Sequence, residues 1–133
     1  MADKNLTKKL QIKQGIKLLI INSPDEFKSQ FSDLKFDSEK SKKKSEQYDY
    51  LQVFVNNKTD LEKFFPAHFK LLKEDGLLWI SYPKGSSGVK SDLNRDKLWE
   101  LLKKYDIRPV SMISIDETWS AMRFRPNKFV NKK

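Results

Sequence analysis

The chain has 133 residues, 38% of them hydrophobic and 34% charged, with a formal net charge of +9 and no cysteine. That length suits one domain around a single core. The missing cysteines exclude disulfides, thiolate metal sites and a thiol nucleophile, and no run approaches the roughly 18 apolar residues that a membrane span needs.

The opening MADKNLTKKLQIKQG has no continuous apolar stretch and no small-residue cleavage site, so a cytoplasmic protein with no membrane partner is expected, with residues 1–5 as a tail. In GIKLLIINSPDEF, the run Lys17 to Ile21 stops at Asn22-Ser23-Pro24, the pattern of a buried strand. Asn22 or Ser23 then caps a helix with Pro24 in its first turn, and Asp25 and Glu26 suit the positive end. Leu34-Lys35-Phe36 starts a short strand, and KSKKKSE, Lys40 to Glu46, lies in a lysine-rich loop over residues 38–47.

YDYLQVFVNN, Tyr48 to Asn57, is apolar on both parities from Leu51 to Val55, as in a central strand covered on both faces. Thr59 or Asp60 is expected to cap a helix carrying Leu61, Phe64, Phe65, His68, Phe69 and Leu72 on one stripe. Pro66 is expected to kink or restart it and Gly76 to end it. LLWISYP, Leu77 to Pro83, is the next strand. In SDLNRDKLWELLKKYD, Ser91 or Asp92, with Asn94 as a second candidate, caps a helix with Leu98, Leu101, Leu102 and Tyr105 on one face. RPVSMISI and WSAMRFRP, joined by a turn at Asp116-Glu117-Thr118, form a hairpin, and residues 127–133 read as a C-terminal tail. This alternation predicts an α/β fold: a three-layer, Rossmann-like, mainly parallel sheet in one domain, with the last strand antiparallel.

From Tyr48 onward, the order of strand, helix ending in LLKEDG, strand LLWISYP, helix and terminal hairpin resembles the C-terminal half of class I S-adenosylmethionine methyltransferases. That resemblance implies a methyltransferase-like fold whose final strand inserts antiparallel between the two before it. More closely, GLLWISYPKGSSGVKSDLNRD with RPVSMISIDETWSAMRFRP looks like a small bacterial group, the domain of unknown function 3052, and the similarity runs from Leu10 to Pro126. It implies a fold and no established activity. The methyltransferases end their first strand in a glycine-rich turn that lets the cofactor approach the backbone. Here the same place reads IINSPDEF, and the four glycines, Gly15, Gly76, Gly85 and Gly88, all lie elsewhere. The acidic residue that would hold ribose hydroxyls is reduced to Asp37 or Glu39. No cofactor is therefore expected, and the chain reads as a binding domain rather than a transferase.

Ligands on open α/β sheets bind beyond the carboxyl ends of the strands. The loops leaving that edge place Asn22, Ser23, Asn56, Lys84, Ser86, Ser87, Lys90, Asp116 and Trp119 as candidate ligand-binding residues. They are also ordinary turn, cap and core residue types. KGSSGVK offers two glycines, two hydroxyls and two lysines to a small anion. It is not a Walker loop, because only two residues separate Gly85 from Gly88. Ser87-Gly88-Val89-Lys90 matches the S-x-x-K of serine acyl-enzymes without their partner motifs. Alternatives are an enzyme acting on an anionic or nucleotide substrate, a degenerate methyltransferase, or an electrostatic nucleic-acid binder. The last is disfavoured, since only four of the 27 basic residues are arginine and the lysine run interleaves no aromatics. His68, the one histidine, reads as a packed residue with a satisfied nitrogen rather than a general base. Arg123 lies too far from the edge and is expected to pair with a carboxylate.

Overall fold

Five strands form one sheet in the order β1-β2-β3-β5-β4 in the computed structural model, which describes residues 8–13, 15–25, 27, 35–38, 47–85, 88 and 91–130. They are β1 (Leu18–Ile21), β2 (Tyr48–Phe54), β3 (Leu72–Pro83), β4 (Ile107–Ser114) and β5 (Trp119–Pro126). The helices are α1 (Lys58–Phe69), α2 (Arg95–Leu102) and a terminal turn α3 (Asn127–Val130), which falls within the stretch read as a tail. β1, β2 and β3 pair in parallel, whereas β5 lies antiparallel between β3 and β4. The expected α/β sheet with an antiparallel C-terminal strand is therefore what forms.

Strand parity assigns each apolar residue to a face. Leu19, Ile21, Leu51, Val53, Leu78, Ile80, Met122 and Phe124 pack with Leu61 and Phe65 of α1 and Leu98 and Leu102 of α2. On the opposite face Leu18, Ile20, Tyr50, Phe54, Trp79, Trp119 and Ala121 pack with Leu10 and Phe27. Both faces are covered, which is why β2 and β3 read as continuous apolar runs. Trp79 is fully buried, and its indole N–H donates to the Leu10 carbonyl (3.1 Å), fixing the N-terminal segment across the sheet.

Several boundaries differ from expectation. Asn57, not Thr59 or Asp60, caps α1: its Oδ1 accepts from the Asp60 N–H (2.9 Å). Helix α1 is continuous through Pro66 to Phe69, and Gly76 lies inside β3 rather than at the helix end. β3 begins at Leu72, because a bulge shifts the register so that Tyr48 pairs with Leu72 and Tyr50 with Leu77. Asp75 adopts φ of +57° there, and its carboxylate takes a two-pronged hydrogen bond from Arg125 (2.9 and 2.7 Å). A charge reads as solvent-facing in sequence, whereas here it closes the bulge. Asn94 caps α2 through the Lys97 N–H (2.8 Å). Of the expected helix after Ser23, only Asp25 and Phe27 are described, both helical; of the strand after Leu34, the described part is a single parallel bridge between Asp37 and Leu19.

Candidate functional site: the carboxyl edge of the sheet

Strand order reverses at β1, which has β2 on one side and the Asp37 bridge on the other. In this fold class that switch point opens the ligand crevice. Asn22 leaves β1 there in the left-handed region, φ +58°, a conformation asparagine tolerates better than other residues with a Cβ. Asparagine thus makes the turn that a glycine would make, but brings a side chain with it. Its Nδ2 donates to the Phe54 carbonyl (3.0 Å), tying the end of β1 to the end of β2. Beneath that tie the Phe54 ring packs against Phe27 (centroids 4.9 Å) and edge-on against Trp119 (5.2 Å), and all three side chains are buried. Among the described residues, the end of β1 is thus taken up by the protein's own amide and three buried aromatic rings.

The acidic position is also spoken for. Asp37 pairs with Leu19, two residues before the end of β1, and its carboxylate accepts from the Tyr48 hydroxyl at the start of β2. It therefore faces down the sheet, away from the carboxyl edge; Glu39 lies outside the described residues. The residues present do not fit S-adenosylmethionine in its usual position.

The remaining candidates spread along the edge. Ser23 follows Asn22 and is half-buried. Asn56 binds Asp60 through its backbone N–H (2.9 Å) and its amide (3.4 Å), so it braces the start of α1. Asp116 folds the hairpin turn: its Oδ1 accepts from the N–H groups of Thr118 and Trp119 (2.8 Å each). Trp119 is 7% exposed and belongs to the core. Lys84 links β3 to the hairpin, with its N–H on the Thr118 carbonyl (2.7 Å) and its ammonium on Ser114 Oγ (2.5 Å). Ser86, Ser87 and Lys90 lie outside the described residues.

An open cleft of about 640 Å³ lies beside Lys84, lined by Asn57, Pro83, Gly85, Ser91, Asp92 and Leu93. Of the sequence candidates among the described residues, the structure brings only Lys84 into its wall. The other wall is the start of α1, whose Lys58 N–H is already bound by Asp92 Oδ1 (2.8 Å). Asp92, expected as a cap for α2, instead occupies the positive end of α1. A second cavity, about 510 Å³, lies at the opposite, amino edge between Phe69, Leu72, Leu78, Tyr105 and Phe124.

A buried polar chain was not singled out from the sequence. The Tyr50 hydroxyl donates to Gln52 Oε1 (2.6 Å) and Gln52 Nε2 to Ser81 Oγ (2.9 Å), at the middle of the sheet. Burial raises the Tyr50 pKa well above its ordinary value, so the phenol keeps its proton. Polar residues at alternate positions of an apolar strand were the available signal. His68 is buried with Nδ1 2.7 Å from the Phe64 carbonyl, as a packed histidine should be.

No family model matches the chain, and no curated protein matches it. Solved structures do. A protein of the NADB-Rossmann superfamily from Streptococcus agalactiae superposes with a TM-score of 0.56 at 11% identity, over 95% of this chain and 69% of its own. The tRNA methyltransferase TrmK of B. subtilis gives 0.54 at 10% identity, over 95% and 67%. The ribosomal protein L11 methylase of Lactobacillus delbrueckii subsp. bulgaricus gives 0.54 at 10%, over 95% and 80%. At such identity the likeness is one of fold: a Rossmann-like, methyltransferase-like organisation.

Proposed function

We propose that this protein is a binding domain on a methyltransferase-like fold, one that takes a small anionic ligand in the cleft beside Lys84 and transfers no methyl group. The resemblance to the domain of unknown function 3052 is consistent with that reading. The observation that carries it is the closed switch point, where Asn22 bonds the Phe54 carbonyl above the buried rings of Phe27, Phe54 and Trp119. A cofactor in the fold's usual crevice would have to displace an amide and three rings. The open space lies next to it instead, with a lysine in its wall.

The test is a thermal-shift series with S-adenosylmethionine and a nucleotide panel, because a ligand that binds only the folded state raises the melting temperature. The expectation is no shift with S-adenosylmethionine and a saturable shift with an anionic nucleotide that Lys84→Ala removes. A saturable shift with S-adenosylmethionine would restore cofactor use and overturn the proposal. Silence from every nucleotide would remove the small-anion reading.

A further inference from the structure

β5 is an interior strand, and Arg123 lies in it between Trp79 of β3 and Ser111 of β4. Parity puts it on the face shared by Trp119 and Ala121, about 13 Å from the carboxyl edge at 3.3 Å per residue. It was expected to pair with a carboxylate, and it does not. Asp75, the acid whose charge acts on it, is held by two nitrogens, Nε and Nη2, of the neighbouring Arg125. The Arg123 Nε is the one buried side-chain nitrogen or oxygen without a hydrogen-bond partner among the described residues.

A buried guanidinium N–H without a partner is costly to keep, because burial removes its water and nothing replaces it, even though the rest of this half-buried side chain is partly open. Burial, and then the positive charge of Arg125, lower the Arg123 pKa, and the attraction of Asp75 only partly opposes them. Arg108, directly across from Arg125 on β4, adds a third guanidinium to the same face, with its Nε on Asn127 Oδ1 (2.8 Å). The face thus gathers three of the four arginines in the chain, of which Arg125 alone bonds a carboxylate there, that of Asp75. Beside Arg123 stand a hydroxyl residue, Ser111, and a buried tryptophan.

We infer that Arg123 is the anchor of an oxyanion site at the β3–β5–β4 end of the Trp79–Ala121 face, distinct from the cleft beside Lys84, binding a small molecule through a phosphate or carboxylate group. A planar fork of N–H donors matches two oxygens of such a group, and the low local polarity strengthens the bond. Arg108 and Arg125 supply the field that draws the anion in. Ser111 is placed to donate to a third oxygen. The site is independent of the reading of the carboxyl edge, being on another part of the sheet.

The test uses the full chain and inorganic phosphate, with sodium chloride matched for ionic strength. Wild type is expected to melt about 3 °C higher or more in phosphate. Arg123→Met should show no rise, and Arg123→Lys, which keeps the charge but not the fork, less than half of it. The Nε–H resonance of Arg123 should move on titration, a change that bulk salt does not cause. Phenyl phosphate and benzoate separate the two sources: a shift with the first alone assigns a phosphate ester, with the second alone a carboxylate. Lys103→Ala, at an exposed lysine in neither site, should keep the phosphate response. No rise in wild type, an equal rise in Arg123→Met, or a rise lost in Lys84→Ala but kept in Arg123→Met overturns the site, and the last result leaves the Lys84 cleft standing.

Discussion

Replacing Phe54 by alanine probes the plug at the switch point. Phe54 is fully buried, with two aromatic neighbours at centroid distances of 4.9 and 5.2 Å. Phe→Ala in a core costs about 3–5 kcal/mol, and two lost ring pairs keep the value off the lower end of that range, at about 4 kcal/mol. At roughly 2.1 cal/mol/K per residue, 133 residues convert this to a fall in melting temperature of about 14 °C. In urea the midpoint should drop by about 2.7 M, taking a slope of roughly 1.5 kcal/mol/M. Phe54→Leu, which retains most of the bulk, should lose less than half as much. The Asn22 amide still has its acceptor in both variants, because it bonds the backbone oxygen. A loss below about 1 kcal/mol for Phe54→Ala would refute the reasoning, since the ring could not then be the filling of the crevice.

Other expectations follow from single contacts. Gly76→Ala should destabilise the fold by about 1–3 kcal/mol, because an added Cβ would lie 2.6 Å from Leu72 Cδ1 and 3.0 Å from the Lys73 carbonyl oxygen; a neutral result by chemical denaturation would mean the bulge shifts freely. Asn94→Ala should cost about 1 kcal/mol by removing the α2 cap, measurable in the same assay, and a loss under a few tenths would place the cap elsewhere. Asp49 accepts from the Lys17 N–H (2.8 Å) and from the Lys73 ammonium (2.8 Å), and these bonds, the backbone one foremost, lower its pKa. A depressed folded-state pKa gives stability that is present above the unfolded value and lost as pH falls through the folded one. The wild-type advantage over Asp49→Asn should therefore be constant from pH 7 to about 5 and decline once pH falls below the unfolded carboxylate value of about 3.9. Lys73 is half-exposed and Asp49 partly so, and solvent screening keeps the advantage small; a gap that persists at the lowest pH would show that charge is not its source.

The apolar runs at Leu18–Ile21, Tyr48–Phe54 and Leu77–Pro83 determined three of the strands by themselves, because a strand covered on both faces needs apolar residues at both parities. The stripes Leu61–Phe65–His68 and Leu98–Leu102 likewise fixed two helices and the face each presents. The absence of glycine after β1 was legible too, and it pointed to a departure from the usual cofactor turn. Tertiary structure decided what replaces that turn. Whether Asn22 faces a ligand or the Phe54 carbonyl depends on the neighbouring strand, which is 32 residues away in the chain. The same holds for the charges. Asp75 and Arg125 lie 50 residues apart, and only the β3 bulge and the β3–β5 register bring them together, leaving Arg123 without the carboxylate it was expected to have. Local pattern specifies which residues are buried. Which polar groups meet is set by register and bulges, and those depend on contacts between strands that no short stretch of sequence contains.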